Sequence, residues 1–270
     1  MLKNIFFILA LMIGSYLCNP KPGEEPAKGE KKAGKENDYA AEMEAMKQPI
    51  FSHMMKLLTT MYDTKTEYKM EGGKPDFCGD HECPKYEVLC KNEFYEVRKY
   101  PPAKWVETDI CKKDHKEIEM GGNPIEKAFH RLYGYISGKN DKKEKIEMTV
   151  PVLVHVKNMK EVDHDKKEME MKFYLAKDAP KPENPDVKIV ESKEVVFYVK
   201  MFGGWVLDSL WKPKTHKFHK ILTSFNQKVD EEFGVLGATY DKPSKFLNRH
   251  NEILMKAADQ KENAKYCKME

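Results

Sequence analysis

The chain has 270 residues, 34% of them charged and 40% hydrophobic, and its formal net charge is +3. This length allows one domain with a sizeable core or two small ones. Lysines are interspersed with acidic residues and form no long basic block, so we do not expect a nucleic-acid-binding protein. The mean hydropathy of -0.71 predicts polar tails outside a compact core.

Residues 1–18 predict a secretory signal peptide. Lys3 is followed by an apolar run from Ile5 to Ile13, which is too short to span a bilayer as a helix. We therefore expect a secreted, extracellular protein with no membrane segment after removal of the signal. A buried N-terminal helix is the alternative interpretation.

Residues 19–82 are predicted to be a polar linker that contains short helices. Its first part consists mainly of Pro, Gly, Lys and Glu and cannot bury enough apolar surface to offset the entropy of ordering. Tyr39 to Tyr62 shows two short helical patterns interrupted by Pro49. These helices can dock on the following domain or bind a partner protein.

Residues 83–257 are predicted to form one domain, followed by a polar tail at 258–270. Its strands are predicted from alternating and β-branched apolar residues, at Tyr86–Cys90, Phe94–Lys99, Trp105–Cys111, Ile146–Val156, Glu168–Ala176, Val187–Val190, Val195–Phe202, Leu236–Tyr240 and Phe246–Met255. Pro151 lacks an N–H group, so its strand should be bulged or lie at an edge there.

Two long helices are expected between these strands. Asn123 and Pro124 favour the start of the first helix and Gly138 favours its end, whereas the second should span Pro213–Phe233. Strand, helix, strand, strand thus occurs twice, about ninety residues apart, which indicates an internal duplication. Each half has too few strands to cover its helix. We therefore predict an α+β fold, a distorted antiparallel β-barrel with both helices packed on it.

Five cysteines are disulfide candidates if Cys18 leaves with the signal peptide: Cys78, Cys83, Cys90, Cys111 and Cys267. An odd number implies a free thiol or an intermolecular bridge in an oxidising compartment. The alternative for Cys78 and Cys83 is a metal site that they form together with His81. Since thiols are oxidised outside the cell, we predict disulfides and no metal.

Four blocks of this sequence resemble the SOUL haem-binding protein family. They are Tyr95–Tyr100, Phe129–Val152, Val199–Gly204 and Lys245–Glu252, and together they cover roughly Cys83 to Lys256. The resemblance implies the same fold and the non-covalent binding of haem or another tetrapyrrole in a shallow apolar cleft on the first helix. Such a site needs an apolar face and cations for the two propionates.

In this chain the resemblance implies a cofactor-binding face on the first helix, made of Phe129, Leu132, Tyr133 and Ile136. The alternative is that this stripe is simply the helix-on-sheet core. The candidate cations for the propionates are Arg131, Lys139 and Arg98. Lys99 stands where some family members have a histidine that has been proposed as an axial ligand.

Two further positions depart from the family pattern. Basic residues of another branch of the family align here with Glu126 and Gly134. His130 or His155 could replace the missing axial ligand, but His130 lies off the apolar stripe and is more simply explained by a pair with Glu126.

No catalytic constellation is present: the chain has no Gly-rich phosphate loop, nucleophile elbow or His-Glu-x-x-His motif. We therefore predict a secreted protein that binds haem or a related tetrapyrrole reversibly and is not an enzyme. The alternative from another class is an extracellular protein-interaction module of the same fold that has lost haem binding.

Overall fold

The computed structural model describes residues 68–111, 124–163, 168–204, 208–242, 245 and 248–260. These residues form a nine-stranded antiparallel sheet, curled into a half-barrel, and two α-helices. The predicted α+β fold is thereby confirmed. The predicted signal peptide, the short helices of residues 39–62 and Cys267 lie outside the described residues.

Eleven strands are described. Two of them, β1 (Met70–Glu71) and β2 (Lys74–Pro75), form a separate ribbon. The others, in chain order, are β3 (Glu87–Lys91), β4 (Glu96–Tyr100), β5 (Ala103–Asp109), β6 (Val152–Val156), β7 (Met169–Leu175), β8 (Val187–Ser192), β9 (Val195–Phe202), β10 (Val235–Thr239) and β11 (Asn251–Lys256). Short 3-10 helices lie at Asp76–Cys78 and Met159–Asp163.

The strand order of the large sheet is β3-β4-β9-β11-β10-β6-β7-β5-β8. If β3 is set aside, this order is symmetric about the β10–β6 pair: β11 corresponds to β7, β9 to β5, and β4 to β8. The strands β4 and β8 are exchanged between the two halves of the chain. β4, from the first half, pairs with β9 of the second half, and β8, from the second half, pairs with β5 of the first. The predicted duplication is therefore visible in the sheet, and each half contributes an edge strand to the other.

Two α-helices cover one face of this sheet. Helix α1 (Pro124–Ile136) packs on β5, β7 and β8 and buries Ala128, Leu132 and Tyr135. Helix α2 (Asp208–Ser224) buries Phe218 and Leu222 in the same core. We call this side of the sheet the helix face and the other side the open face.

Strand alternation gives both faces an apolar lining. On β9, Val196 and Tyr198 belong to the core beneath the helices, whereas Phe197 and Val199 belong to a second cluster with Leu236. The open face is therefore largely apolar although neither described helix packs on it.

Several element boundaries differ from the predictions. The strand predicted over Ile146–Val156 begins only at Val152, because Pro151 lacks a ladder donor. The predicted Pro213–Phe233 helix instead spans Asp208–Ser224. It ends at Ser224 because the chain turns at Asn226, which has a φ of 55°, and Val229 bridges to Ala257.

Residues 68–82 fall in the predicted linker, yet they pack on the domain. The Phe77 ring stacks on His250 with 3.7 Å between centroids, and the adjacent Cys78 forms a disulfide with Cys83. Closing such a short loop stabilises the fold by about 2 kcal/mol in the chain-entropy model. Cys90 and Cys111 are also disulfide-bonded.

A fully buried ionic cluster connects three strands on the open face. Arg98 of β4 donates to Glu96 Oε2 at 2.8 Å and to Glu252 Oε1 of β11, also at 2.8 Å. Tyr240, which follows β10, donates to Glu252 Oε2 at 2.7 Å. All three charged side chains are at most 1% exposed, so removing Arg98 would leave two buried carboxylates without it, and removing either carboxylate would break a buried ion pair.

This cluster controls the protonation of Glu252. Burial alone would raise its pKa, but the Arg98 charge and hydrogen bonds with His250 and Tyr240 outweigh burial and lower the pKa to about 2. A carboxyl group whose pKa is lowered by folding stabilises the folded state above its unfolded pKa, and that stabilisation is lost as the pH falls through the folded pKa.

We predict that Glu252→Gln lowers the free energy of unfolding at neutral pH by on the order of 3 kcal/mol, because it breaks a fully buried ion pair and leaves Glu96 as the remaining carboxylate partner of Arg98. The difference from the wild type should shrink as the pH falls from about 5 to about 2, where the wild type loses the same charge. Urea unfolding across this pH range measures both effects. The control is Glu168→Gln, since the Glu168 side chain is 82% exposed; a constant difference for Glu252→Gln would contradict the account.

Candidate functional site

The apolar stripe of α1 divides into buried and exposed residues. Leu132 and Ile136 are 0% and 5% exposed and belong to the helix-face core. Arg131 is also buried; its Nε donates to Thr108 Oγ1 at 3.0 Å, and its Nη2 donates to the Asp109 carbonyl oxygen. These three predicted site residues therefore hold α1 on the sheet and support the surface above them.

Two predicted residues, Phe129 and Tyr133, form an aromatic pair at the edge of α1. Their rings lie nearly parallel, with an interplanar angle of 12° and 5.9 Å between centroids. Tyr133 is 49% exposed, whereas Phe129 is partly buried and contacts Phe173 of β7 edge-on. The result is an exposed aromatic surface fixed to the core on one side.

Lys139 returns from the turn after α1 and lies against Gly134. Its Cδ is 3.2 Å, and its Nζ 3.8 Å, from the position that a Gly134 Cβ would occupy. Gly138, with a φ of 109°, allows this turn, as its predicted role at the end of the helix requires. The Lys139 cation thus lies beside Gly134, a helix position whose own residue is not basic.

His130 is near the aromatic pair and largely exposed. Its Nε2 lies 3.6 Å from Glu126 Oε1, so the predicted pair with Glu126 is confirmed, and its side chain is 62% exposed. The centroids of the His130 and Phe129 rings are 6.1 Å apart. The outer side of α1 therefore brings together two aromatic rings, an imidazole and the Lys139 ammonium.

The other predicted cations lie elsewhere. Lys99 is on β4 and pairs with Glu194 at 3.1 Å, whereas α1 packs on β5, β7 and β8. Arg98 is fully buried in its cluster with Glu96 and Glu252 and is not open to a propionate. The structure does not bring either residue together with Tyr133.

The remaining candidate ligands are engaged within the protein. His155 lies on the open face, with Nε2 2.7 Å from the Phe233 carbonyl oxygen and Nδ1 3.7 Å from Glu170. The sulfur atoms of Cys78 and Cys83 bond to each other, and His81 Nδ1 lies 3.1 Å from the Met148 carbonyl oxygen. Over the described ranges, no group of three or more His, Cys, Asp and Glu side chains is placed to hold a metal ion.

A cavity of about 510 Å³ on the open face was not predicted from the sequence. Its wall includes Trp105, Leu153, Phe197 and Leu236 from four strands. One signal was present in the sequence: Val195–Val199 is apolar at every position, which indicates a strand buried on both faces. The partners across the cavity come from distant parts of the chain and left no local pattern.

None of the helices that the structure describes is long and apolar enough to cross a membrane.

The sequence is similar to a family profile and to known proteins of that family. The sequence profile of the SOUL heme-binding protein family matches residues 81–256. Heme-binding protein 2 of Homo sapiens is 31% identical over 175 residues, which cover 63% of this chain and 82% of that protein. Heme-binding protein 1 of Bos taurus is 25% identical over 195 residues, covering 69% and 97%, respectively.

Among solved structures, an uncharacterized conserved protein from Listeria innocua aligns with a TM-score of 0.46 and 11% identity, covering 62% of this chain and 93% of that one. The family profile spans the sheet from before β3 to the end of β11 and includes both helices. This chain belongs to the SOUL heme-binding protein family.

Proposed function

We propose that this protein binds haem or a related tetrapyrrole reversibly and non-covalently on the outer side of α1. The observation that carries the proposal is the half-exposed Tyr133 ring, stacked on Phe129, in a chain of the SOUL family. The relatives at 25–31% identity are named heme-binding proteins. Their names describe binding and no reaction, so we infer that this protein also binds its ligand without transforming it.

The aromatic pair is suited to a flat macrocycle. Offset stacking on an aromatic ring contributes beyond the burial of apolar area, and a ring that is already fixed loses little entropy on binding. Phe129 is fixed by its contact with Phe173, and Leu132 beneath it is fully buried. The core residues of the stripe thus make the surface rigid, although they do not face a ligand.

Two polar side chains complete this surface. The Lys139 ammonium, beside Gly134, is placed to pair with a propionate at the edge of a macrocycle on Tyr133. His130, after release from its long contact with Glu126, would hold the haem iron through its imidazole. Bound haem would supply an iron centre with an imidazole-dependent Soret band.

We predict that Tyr133→Ala weakens haemin binding about tenfold, because it removes the stacked ring. Titration of haemin into the oxidised protein, followed by Soret absorbance, measures the affinity. Tyr133→Phe is the matched control and should bind like the wild type, since it keeps the ring and removes only the hydroxyl. Unchanged affinity in Tyr133→Ala, with a folded circular dichroism spectrum, would place the tetrapyrrole elsewhere; no saturable binding by the wild type would favour a protein-interaction module.

Lys139→Gln should weaken haemin binding by about two- to five-fold, the effect of one exposed ion pair. Lys139→Arg should bind normally, and Lys143→Gln, at an exposed lysine of the same turn, is the control for general charge. The effect of Lys139→Gln should disappear with haem dimethyl ester, whose carboxyl groups carry no charge. An equal loss for the ester would show that Lys139 acts through structure rather than through a propionate.

We further propose that the protein is secreted after removal of residues 1–18. Support comes from the apolar run Ile5 to Ile13 and from disulfide bonding at Cys78, Cys83, Cys90 and Cys111.

Expression in a eukaryotic cell should release protein that lacks residues 1–18, identified by N-terminal sequencing of the medium. Peptide mapping without reduction should recover Cys78 linked to Cys83. Leu9→Arg, which interrupts the apolar run, should abolish release. Intact protein retained in the cytosol with reduced cysteines would contradict this proposal.

A further inference from the structure

We propose that the cavity on the open face is a second ligand site, which takes an uncharged aromatic molecule. It lies on the side of the sheet opposite to α1 and thus apart from the tetrapyrrole surface. Its volume of about 510 Å³ is within the range of small-molecule sites in proteins. This inference does not depend on whether haem binds to α1.

The wall of the cavity offers mostly carbon surface, and three of its aromatic residues have their polar atoms bonded within the protein. Tyr240 donates its hydroxyl to Glu252, and the Tyr100 hydroxyl accepts from Arg98 at 3.4 Å. Trp105 donates Nε1 to Ser192 Oγ at 3.3 Å. Because these polar atoms are bonded within the protein, the aromatic residues present ring surface to the cavity. Such walls favour a ligand with aromatic rings of its own.

The acidic charges that line the cavity are already compensated. Each of the four glutamates that line it is paired with a lysine: Glu107 with Lys172, Glu170 with Lys157 and Lys172, Glu191 with Lys104, and Glu194 with Lys99. Of the lining lysines, Lys256 pairs with Asp230 at 2.9 Å. A charged ligand would have to be desolvated without gaining a free counter-charge from these pairs.

One of these glutamates shows how firmly the charged state is held. Burial would raise the pKa of Glu170, but the nearby His155 imidazole, a hydrogen bond with Lys157 and the charge of Lys172 lower it well below its usual range. Glu170 therefore stays ionised and paired at neutral pH, and an anionic ligand group placed next to it would be repelled.

The cavity opens to solvent near the connection between β8 and β9. Glu191, Lys193 and Glu194 line it there and are exposed. Ala103, at the start of β5, pairs with Ser192 in the register of the two strands and is only partly buried. A larger side chain at Ala103 would therefore fill the outer part of the cavity without replacing a core residue.

The test uses two fluorescent probes with the same ring system. N-phenyl-1-naphthylamine is uncharged, and 8-anilino-1-naphthalenesulfonate carries one sulfonate. We expect saturable one-to-one binding of the uncharged probe to the full oxidised chain, and at least tenfold weaker binding of the sulfonate. No saturable binding of the uncharged probe, or equal binding of both probes, would overturn the proposal.

Two variants locate the binding site. Ala103→Phe and Leu236→Phe each add a ring to the cavity and should weaken the binding of the uncharged probe at least tenfold. Val88→Phe adds the same ring at an exposed position of β3 outside the cavity and should have no effect. If the cavity variants fold, as judged by circular dichroism, and still bind the probe normally, the site is not this cavity.

Haemin titration separates this inference from the proposed function. Ala103→Phe should bind haemin like the wild type, and saturating N-phenyl-1-naphthylamine should leave the haemin affinity unchanged. If haemin fails to bind while the uncharged probe binds, the proposed function fails and the cavity site stands. If both probe and haemin affinities fall in Ala103→Phe, the two ligands share the cavity and a separate second site is excluded.

Discussion

The constraint on which this structure depends is a curled sheet that carries an apolar cluster on each face, while its two helices cover only one of them. Strand alternation places Val196 and Tyr198 under the helices and Phe197 and Val199 on the other side. Burying the first set creates the core that holds α1 and α2. On the other side, Phe197 is left to line a cavity, so the fold produces two separate surfaces with different chemistry.

The blocks that identify the family mainly build this fold. Tyr95–Tyr100 supplies Glu96, Arg98 and Tyr100 on one face of β4, and Lys245–Glu252 supplies the Glu252 that neutralises Arg98. These two residues are 154 positions apart in the chain. Loss of either partner of such a buried ion pair strongly destabilises the fold. These charged residues of the family blocks therefore hold the fold together, because all three of their side chains are buried.

Local sequence predicted the bounds of a helix or strand correctly where residues at its own ends set them. Helix α1 runs over Pro124–Ile136 as its Pro and Gly signals predict, and β9 has the predicted bounds, Val195–Phe202. Prediction failed where a distant segment competes. The apolar stripe of the second helix continues to Val229, but Val229 bridges to Ala257 and the helix ends at Ser224. No local pattern contains that contact.

In the candidate site, too, the sequence predicted local features correctly and missed those that depend on the fold. The stripe on α1 predicted apolar residues correctly, but only burial separates Leu132, which is in the core, from Tyr133, which faces solvent. Sequence alignment suggested that the cation at Gly134 was lost, whereas Lys139 occupies that space by folding back over the glycine. Arg131 was expected at a propionate and instead holds α1 to the end of β5.

The most direct test of this account is a two-dimensional ¹H–¹⁵N NMR spectrum of the full chain with substoichiometric haemin, whose ferric iron broadens nearby amide signals. Binding on α1 predicts that the amides from Phe129 to Lys139 broaden first, while those of Leu153, Leu236 and Leu254 on the open face remain sharp. Broadening confined to the open-face residues, with α1 unaffected, would contradict the assignment of the tetrapyrrole to the Tyr133 surface.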